Sequence, residues 1–461
     1  MKFLSVTILS LALALSAYAQ QPDPANPAIP AVSGEVDAAE SRQPIWEWDY
    51  LTGNWGGFRD TLSDKGIDFG AQYYVEVWGN TTGGLKRGTV YTGLLQADLN
   101  VDLDKLAGWK GGSVYTRWLW LSGRDASEDL VGNFFTISNI AGFNTFRNIE
   151  LWFQQNFWDD KISIRAGQLA ADSEFVISDY ASYFINGTFG WPAFIYTSLP
   201  EGGPGYPMGT LGARLAVTPV ENFTLLAAMF QGNVFAQDVN RHGFRWNLNE
   251  NQGYTWLTEA QYRHDFWLPG QVKVGAWFSS ADYANSNGSD ESRWGNYGLY
   301  FIVDQMLYRE PSPAPAVTGY SKDGKSVASG KASKKAVAPE IEPSNQGLGA
   351  FTRFGFQPID RNFLGFYFDA GLTYTGLIPT RDDDTLGVAL GYGQLSNGAK
   401  DVLAGEGSVN PGYEIVIEGT YQAQITPWLV VQPDVQYIIH PGGAQDVGNA
   451  FVIGGRAVIS F

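Results

Sequence analysis

Side chains able to do chemistry recur along this 461-residue chain at alternate positions, most of them flanked by uncharged neighbours. Glu76 stands between Val75 and Val77, Asp98 between Ala97 and Leu99, and Arg165 between Ile164 and Ala166. Arg117, Glu150, Arg214, Glu259, Arg263, Lys273, Arg353, Asp369, Glu414, Glu418, Asp434 and Arg456 fall on the same alternating face of their own segments. Planar guanidinium and carboxylate groups of this kind make paired hydrogen bonds to a polar solute. A pair of carboxylates can instead do general acid–base work, and distance tests that reading. Glu414 and Glu418 share a face, but four residues of strand set them ~13–14 Å apart, beyond the ~5–9.5 Å of glycosidase pairs. His242, His264 and His440 show no metal-ligand spacing. Neither a nucleophile elbow nor an HExxH pattern is present. The chain has no cysteine and hence no thiolate chemistry. No catalytic residue, metal or cofactor is expected.

The elements that position these residues are strands. Ala71, Tyr73, Val75 and Val77 oppose Gln72, Tyr74, Glu76 and Trp78, and Leu95 to Asp102 alternates in the same way. Further segments with this period lie near 114–120, 146–157, 161–169, 209–218, 222–231, 252–265, 270–280 and 294–306. The series continues near 347–358, 363–377, 385–393, 411–424, 427–439 and 449–461. In the last one, Phe451, Ile453, Ala457, Ile459 and Phe461 share one face, opposite Gly454, Arg456, Val458 and Ser460. An apolar face against a small or polar one suits a wall with lipid outside and water inside. Charged residues make up 17%, below the ~25% of ordinary soluble domains. Beyond the N-terminus no apolar run approaches the ~18 residues that a spanning helix needs. The pattern predicts an all-β protein, a transmembrane antiparallel β-barrel of about 16 strands, closed by pairing the last strand with one near the start. The net charge of −17 and the lack of a dense basic tract argue against nucleic acid as a partner.

Outside the strands the chain divides by composition. Residues 1–19 have the charge, apolar core and Ala17-Tyr18-Ala19 site of a cleaved signal peptide. Residues 20–44 form a Pro/Ala-rich leader. In 45–66 a short helix is expected at the periplasmic end, capped by Asn54, striped by Trp55, Phe58 and Leu62, and ended by Gly66. The barrel then occupies 67–461, interrupted by a Pro-, Ser- and Lys-rich stretch at 309–346 that reads as a disordered insert. Strict alternation puts that insert at the end with the short turns, unless the strand count slips by one. Among the longer connections, 170–208 is too aromatic for a solvated loop and is expected to fold into the lumen as a constriction.

Four stretches carry a resemblance: Leu51-Thr52-Gly53-Asn54-Trp55-Gly56-Gly57-Phe58-Arg59 with Gly66-Ile67-Asp68-Phe69; Ile164-Arg165-Ala166-Gly167-Gln168; Gly376-Leu377-Ile378-Pro379-Thr380-Arg381-Asp382-Asp383-Asp384; and Gln432-Pro433-Asp434-Val435-Gln436-Tyr437-Ile438 with Pro441-Gly442-Gly443. In this order they resemble the carbohydrate-selective porin family of OprB type. The resemblance implies passive diffusion of sugars through the bacterial outer membrane. A neutral sugar offers hydroxyls to planar polar groups and C–H faces to aromatic rings. The expected lumen contacts are Arg117, Arg165 and Glu174, which flank the constriction, with Glu76, Asp98, Trp152, Arg353, Glu414 and Asp434. Trp78, Tyr115 and Trp277 also read inward, whereas Trp118, Trp120, Trp256, Tyr262 and Tyr437 read as lipid girdle. Sugars, outer-membrane lipid and, through the terminal Phe461, the barrel assembly machinery are the expected partners, with the choice between monomer and trimer open. A general porin, an outer-membrane hydrolase and a soluble exported sugar-binding β-protein are the alternatives.

Overall fold

The computed structural model describes residues 43–248, 253–311 and 344–461. The expected signal peptide, most of the leader and nearly all of the insert lie outside them. Alternating inward and outward residues fold into strands that join edge to edge until the sheet meets itself. The first half of the ring is β1 (Ile67–Thr82), β2 (Gly88–Asp102), β3 (Gly112–Gly123), β4 (Thr145–Phe157), β5 (Ile162–Leu169), β6 (Thr210–Val220), β7 (Phe223–Gln231) and β8 (Tyr254–His264). The second half is β9 (Gly270–Ala284), β10 (Ser292–Arg309), β11 (Gly347–Phe356), β12 (Leu364–Thr375), β13 (Thr385–Leu395), β14 (Tyr413–Thr426), β15 (Leu429–Ile439) and β16 (Ala450–Ser460). Each strand pairs antiparallel with its sequence neighbours, and β1 pairs with β16 to give a closed barrel of sixteen strands, as the alternation predicts. Closure leaves no sheet edge, the condition for placing strands in lipid.

The closing register runs from Gln72 opposite Ser460 to Gly79 opposite Ile453. It puts Glu76 directly across from Arg456 on the inner face, where Arg456 Nε donates to Glu76 Oε1 at 2.7 Å. The seam therefore carries a buried ion pair whose partners are 380 residues apart in sequence. On the outer face Val77, Phe451 and Ile453 are exposed, the arrangement lipid requires.

Apart from the stretch between β10 and β11, the longest connections gather at one end. At one end the strands are joined by 103–111, 158–161, 221–222, 265–269, 376–384 and 427–428; at the other lie 124–144, 170–209, 232–253 and 396–412. β10 and β11 pair as far as Arg309 opposite Gly347, so the strand count does not slip and the insert leaves from the short-turn end. Arg309 itself is the last residue of β10.

The N-terminal segment sits under the seam at that same end. Its helix, α1 (Phe58–Asp64), begins after Gly57, whose φ of 87° ordinary side chains resist. Asn54 stands at the N-cap of a short 3-10 turn, Trp55–Gly57, that precedes α1, and its Oδ1 accepts the N–H of Asp60 in the first turn of α1 at 3.3 Å. Arg59 stacks 3.8 Å from the Tyr50 ring centre and donates through Nη2 to Phe461 O at 2.7 Å. Leu51 N–H donates to Ser460 O of β16 at 2.9 Å and Arg59 Nη1 to Phe69 O of β1 at 3.3 Å, so the segment bridges both sides of the seam, and Trp428 Nε1 donates to Ile45 O at 2.8 Å.

Because β10 and β11 are fully paired to their ends, the barrel wall needs nothing between them. Replacing Pro311–Ser344 with a short Gly-Ser link is expected to preserve the heat-modifiable folded band and the single-channel conductance. Loss of the folded band on gel electrophoresis would show that the deleted stretch supports the wall.

Candidate functional site

The inner wall is unusually rich in buried carboxylates, and they are acceptors for the backbone of loops folded into the barrel. Glu414 on β14 accepts Phe135 N–H at 2.7 Å, Phe134 N–H at 3.1 Å and Gly442 N–H at 2.6 Å. One turn of the pleat away, Glu418 accepts Ile185 N–H at 2.6 Å and Asn186 N–H at 2.9 Å. Glu259 on β8 accepts Val176 N–H at 2.9 Å and the Tyr300 hydroxyl at 2.8 Å. Asp304 on β10 accepts from the Ser178 hydroxyl and from the Asp179 and Tyr180 N–H groups. A loop inside a barrel has lost its water, so its N–H groups need such partners.

Cationic and amide side chains hold the loop carbonyls in the same way. Arg353 on β11 grips Asp369 through Nε and Nη2 and also donates to Thr188 O (2.8 Å), Gly190 O (3.1 Å) and Val176 O (3.2 Å). Lys273 Nζ donates to Ile177 O at 2.8 Å and Gln432 Nε2 to Tyr183 O at 2.8 Å. Both 170–208 and 124–144 are bound to the wall by such bonds. The sequence singles out the first and misses the second, although Leu130, Val131, Phe134, Phe135, Ile137 and Ile140 make 124–144 too apolar to lie in water.

Glycines on the inner wall receive the loop aromatics. A Cβ on Gly355 would lie 2.3 Å from the Phe194 ring, and one on Gly393 would lie 2.9 and 3.0 Å from Phe135 and Phe134. Phe135, Phe184, Phe189 and Phe194 are fully buried in a core that lies inside the barrel. The sector from β8 to β15 is thus filled.

Open space remains along the β1–β4 wall. A cavity of about 1020 Å³ is bounded by Tyr74, Gln96, Arg117, Glu150 and Arg456 on the wall and by both loops opposite. It extends from these mid-strand residues to Glu128 and Asn144 among the long connections. Arg117 lies 4.0 Å from Asp98 and 3.7 Å from Glu150, packed near the Tyr115 ring. Asp125, on the loop side, is pushed up to about 6 by burial, against the lowering effect of the Ser127 N–H. The cavity therefore loses negative charge as pH falls through that range.

Of the residues read from sequence, Arg117 lines this cavity, and Asp98 and Glu76 sit behind it as partners of Arg117 and Arg456. Arg165 and Arg214 face each other across β5 and β6 and share Glu174, at 3.3 Å from Arg165 Nη1 and 2.7 Å from Arg214 Nη2. Arg165 also covers the Trp152 ring at 3.8 Å. That cluster pins the start of 170–208 to the wall. Arg353 and Glu414 bind loop backbone, and Asp434 accepts from Gln436 Nε2 at 3.1 Å beside them. Asn139 and Tyr206, which reach Arg456 and Ile140 O, are cavity residues the sequence reading does not pick out.

Comparison with known proteins adds to the geometry. A family model described as "Carbohydrate-selective porin, OprB family" matches residues 86–461. Porin B of Pseudomonas aeruginosa is 23% identical over 460 residues, spanning 90% of this chain and 92% of that protein. The putative porin QuiX of Acinetobacter baylyi is 23% identical over 431 residues, spanning 89% and 93%. The high-pH structure of Pseudomonas putida OprB superposes with a TM-score of 0.74 at 23% identity, covering 90% of this chain and 99% of that one.

Removing one fastening carboxylate leaves two buried N–H donors unmatched, a cost of about 1–3 kcal/mol each. Glu418→Ala is expected to free the centre of 170–208, so single-channel recordings should show a noisier current and a higher mean conductance. Glu418→Gln, which keeps one acceptor oxygen, should fall between. A quiet current of native size in the Ala variant would show that the loop is held by other means.

Proposed function

This chain belongs to the carbohydrate-selective porin, OprB family, and forms an outer-membrane porin for carbohydrates; from that premise we propose that sugars cross along the β1–β4 wall, past Arg117. The observation that carries this reading is the asymmetric filling of the barrel. Loop aromatics and carboxylate-bound backbone occupy the β8–β15 side, while polar and aromatic groups line the space left opposite. The volume of that space falls at the upper end of the ~300–1,000 Å³ usual for small-molecule sites.

Tyr74 and Gln96 present a ring and an amide to this space beside the two arginines. Arg117 is the residue best placed to exchange one set of partners for another. It borders this space between Asp98 and Glu150, whereas Arg353 and Arg214, held at 2.6 and 2.7 Å by Asp369 and Glu174, do not reach it. A guanidinium at the edge of an open space can offer its fork to two sugar hydroxyls and return to its carboxylate neighbours, as passage requires. Arg165 and Glu174 serve the loop, and Trp152 lies beneath Arg165 as a platform for it. Transport without chemistry fits the carboxylates: Glu414 and Glu418 have their oxygens occupied by backbone N–H groups. Export by a cleaved leader at residues 1–19, with the insert on the periplasmic side beside the short turns, completes the proposal.

Arg117→Ala is expected to weaken sugar block of ion current several-fold, about 1–2 kcal/mol for a charge-assisted hydrogen bond, with a modest rise in open conductance. Arg117→Lys keeps the charge without the fork and should lie between. Titrating single channels with a panel of neutral sugars checks this. Unchanged block in a normally assembled Ala variant would remove Arg117 from the path.

A further inference from the structure

We propose that the N-terminal segment, Ile45 to Asp64, is an interfacial anchor that lies in the phospholipid headgroup region at the short-turn end of the barrel. Trp46 is 60% exposed, Phe58 56% and Trp55 40%. Such rings on a loosely tethered tail would mean little, but this segment is fixed. Leu51 N–H is bonded to Ser460 O, Trp428 Nε1 to Ile45 O, and Arg59 to both Phe461 O and Phe69 O. A docked segment that turns large aromatics away from the protein needs a second apolar partner.

Continuity with the wall identifies that partner. Trp55 packs against Phe69, their ring centres 5.9 Å apart. Phe69 belongs to the outward set of β1, with Ala71, Tyr73, Val75 and the exposed Val77, and that set faces lipid. The segment therefore turns up over the rim onto the outer surface at the β1–β16 seam. Elsewhere on the same rim the short turns carry exposed Trp109, Trp158, Phe266 and Trp267. Aromatic rings at this level are the girdle that settles a barrel at the headgroup boundary. Trp46, Trp55 and Phe58 extend the girdle across the seam, on a segment that also carries exposed Glu47, Asp49 and Asp64 for the wet side. Lipid is thus the occupant that the surroundings specify, rather than a second copy or a periplasmic protein.

The inference rests on the outer-membrane placement of the barrel, and the test separates the two. Since the native chain has no cysteine, Trp46→Cys, Phe58→Cys, Val77→Cys and Ser289→Cys each give a single attachment point for an environment-sensitive fluorophore. The labelled full-length proteins are reconstituted in vesicles of phosphatidylethanolamine and phosphatidylglycerol, after checking that each gives the folded, heat-modifiable band. Nitroxide placed high on a lipid acyl chain is expected to quench positions 46 and 58 at least two-fold more than nitroxide placed near the chain end. Aqueous iodide should quench them weakly. Position 77 must be quenched by lipid nitroxide, and position 289, on the β9–β10 connection at the opposite end of the barrel, by iodide. Strong iodide quenching at both 46 and 58 without lipid quenching, while 77 behaves as stated, overturns the anchor and leaves the barrel in the membrane. Failure at 77 overturns the placement itself. Shielding from iodide with no lipid quenching, and fluorophore self-quenching that grows with protein density, would assign the surface to a second copy and likewise overturn the proposal. Positions 46 and 58 are independent, so either folded variant suffices.

Discussion

The structure depends on one kind of bond: a carboxylate on the barrel's inner wall accepting backbone N–H groups from a loop that has left water. Glu259, Asp304, Glu414 and Glu418 make it at four places, with Arg353 and Lys273 doing the converse for carbonyls. A carboxyl group has acceptor capacity for more than one such donor. Without these partners, 124–144 and 170–208 would carry unmatched donors in a crowded interior, and the lumen would be a wide pore. With them, a barrel built for water holds a packed apolar core displaced to one side. The channel is the part that this core does not fill.

Shape and charge cooperate in that displacement. Inward glycines such as Gly355 and Gly393 let phenylalanine rings sit against the strand backbone, which no larger residue allows at those distances. The rings bring the loop close enough for the carboxylates to reach its N–H groups. The wall from β1 to β4 presents Tyr74, Gln96, Arg117, Leu119 and Glu150, and it is there that the cavity opens. On the proposed path, the planar groups of Gln96 and Arg117 that border this space are the ones a sugar would meet.

Much of this was legible in the sequence, for a simple physical reason. Period-two alternation is local, so each of the sixteen strands, the closing strand at 450–460 among them, could be found alone. Aromatic density likewise marked 170–208. Pairings between distant residues left no such trace: Glu414 and Phe135 are 279 positions apart, and Arg353 and Thr188 are 165 apart. Alternation shows that Glu414 and Arg353 point inward but cannot tell a sugar from a loop carbonyl as the partner. The same limit hides the Arg165–Glu174–Arg214 cluster, since Arg214 arrives from another strand. Inner-wall glycines left no sign of their role, because the rings that fill the space beside them lie elsewhere in the chain. Asn54 had the right residue type for a cap, but Gly56 and Gly57 delay the helix past it.

The central claim is that solute passes only on the β1–β4 side of a barrel filled on the other. Chemical modification of single cysteines during current recording tests it most directly, since the native chain has none to interfere. Gln96→Cys borders the cavity, whereas Thr373→Cys is buried on β12 in the filled sector. A bulky methanethiosulfonate reagent should cut both conductance and sugar passage at position 96 and leave position 373 unmodified with its current unchanged. Equal block at the two positions would contradict a one-sided path.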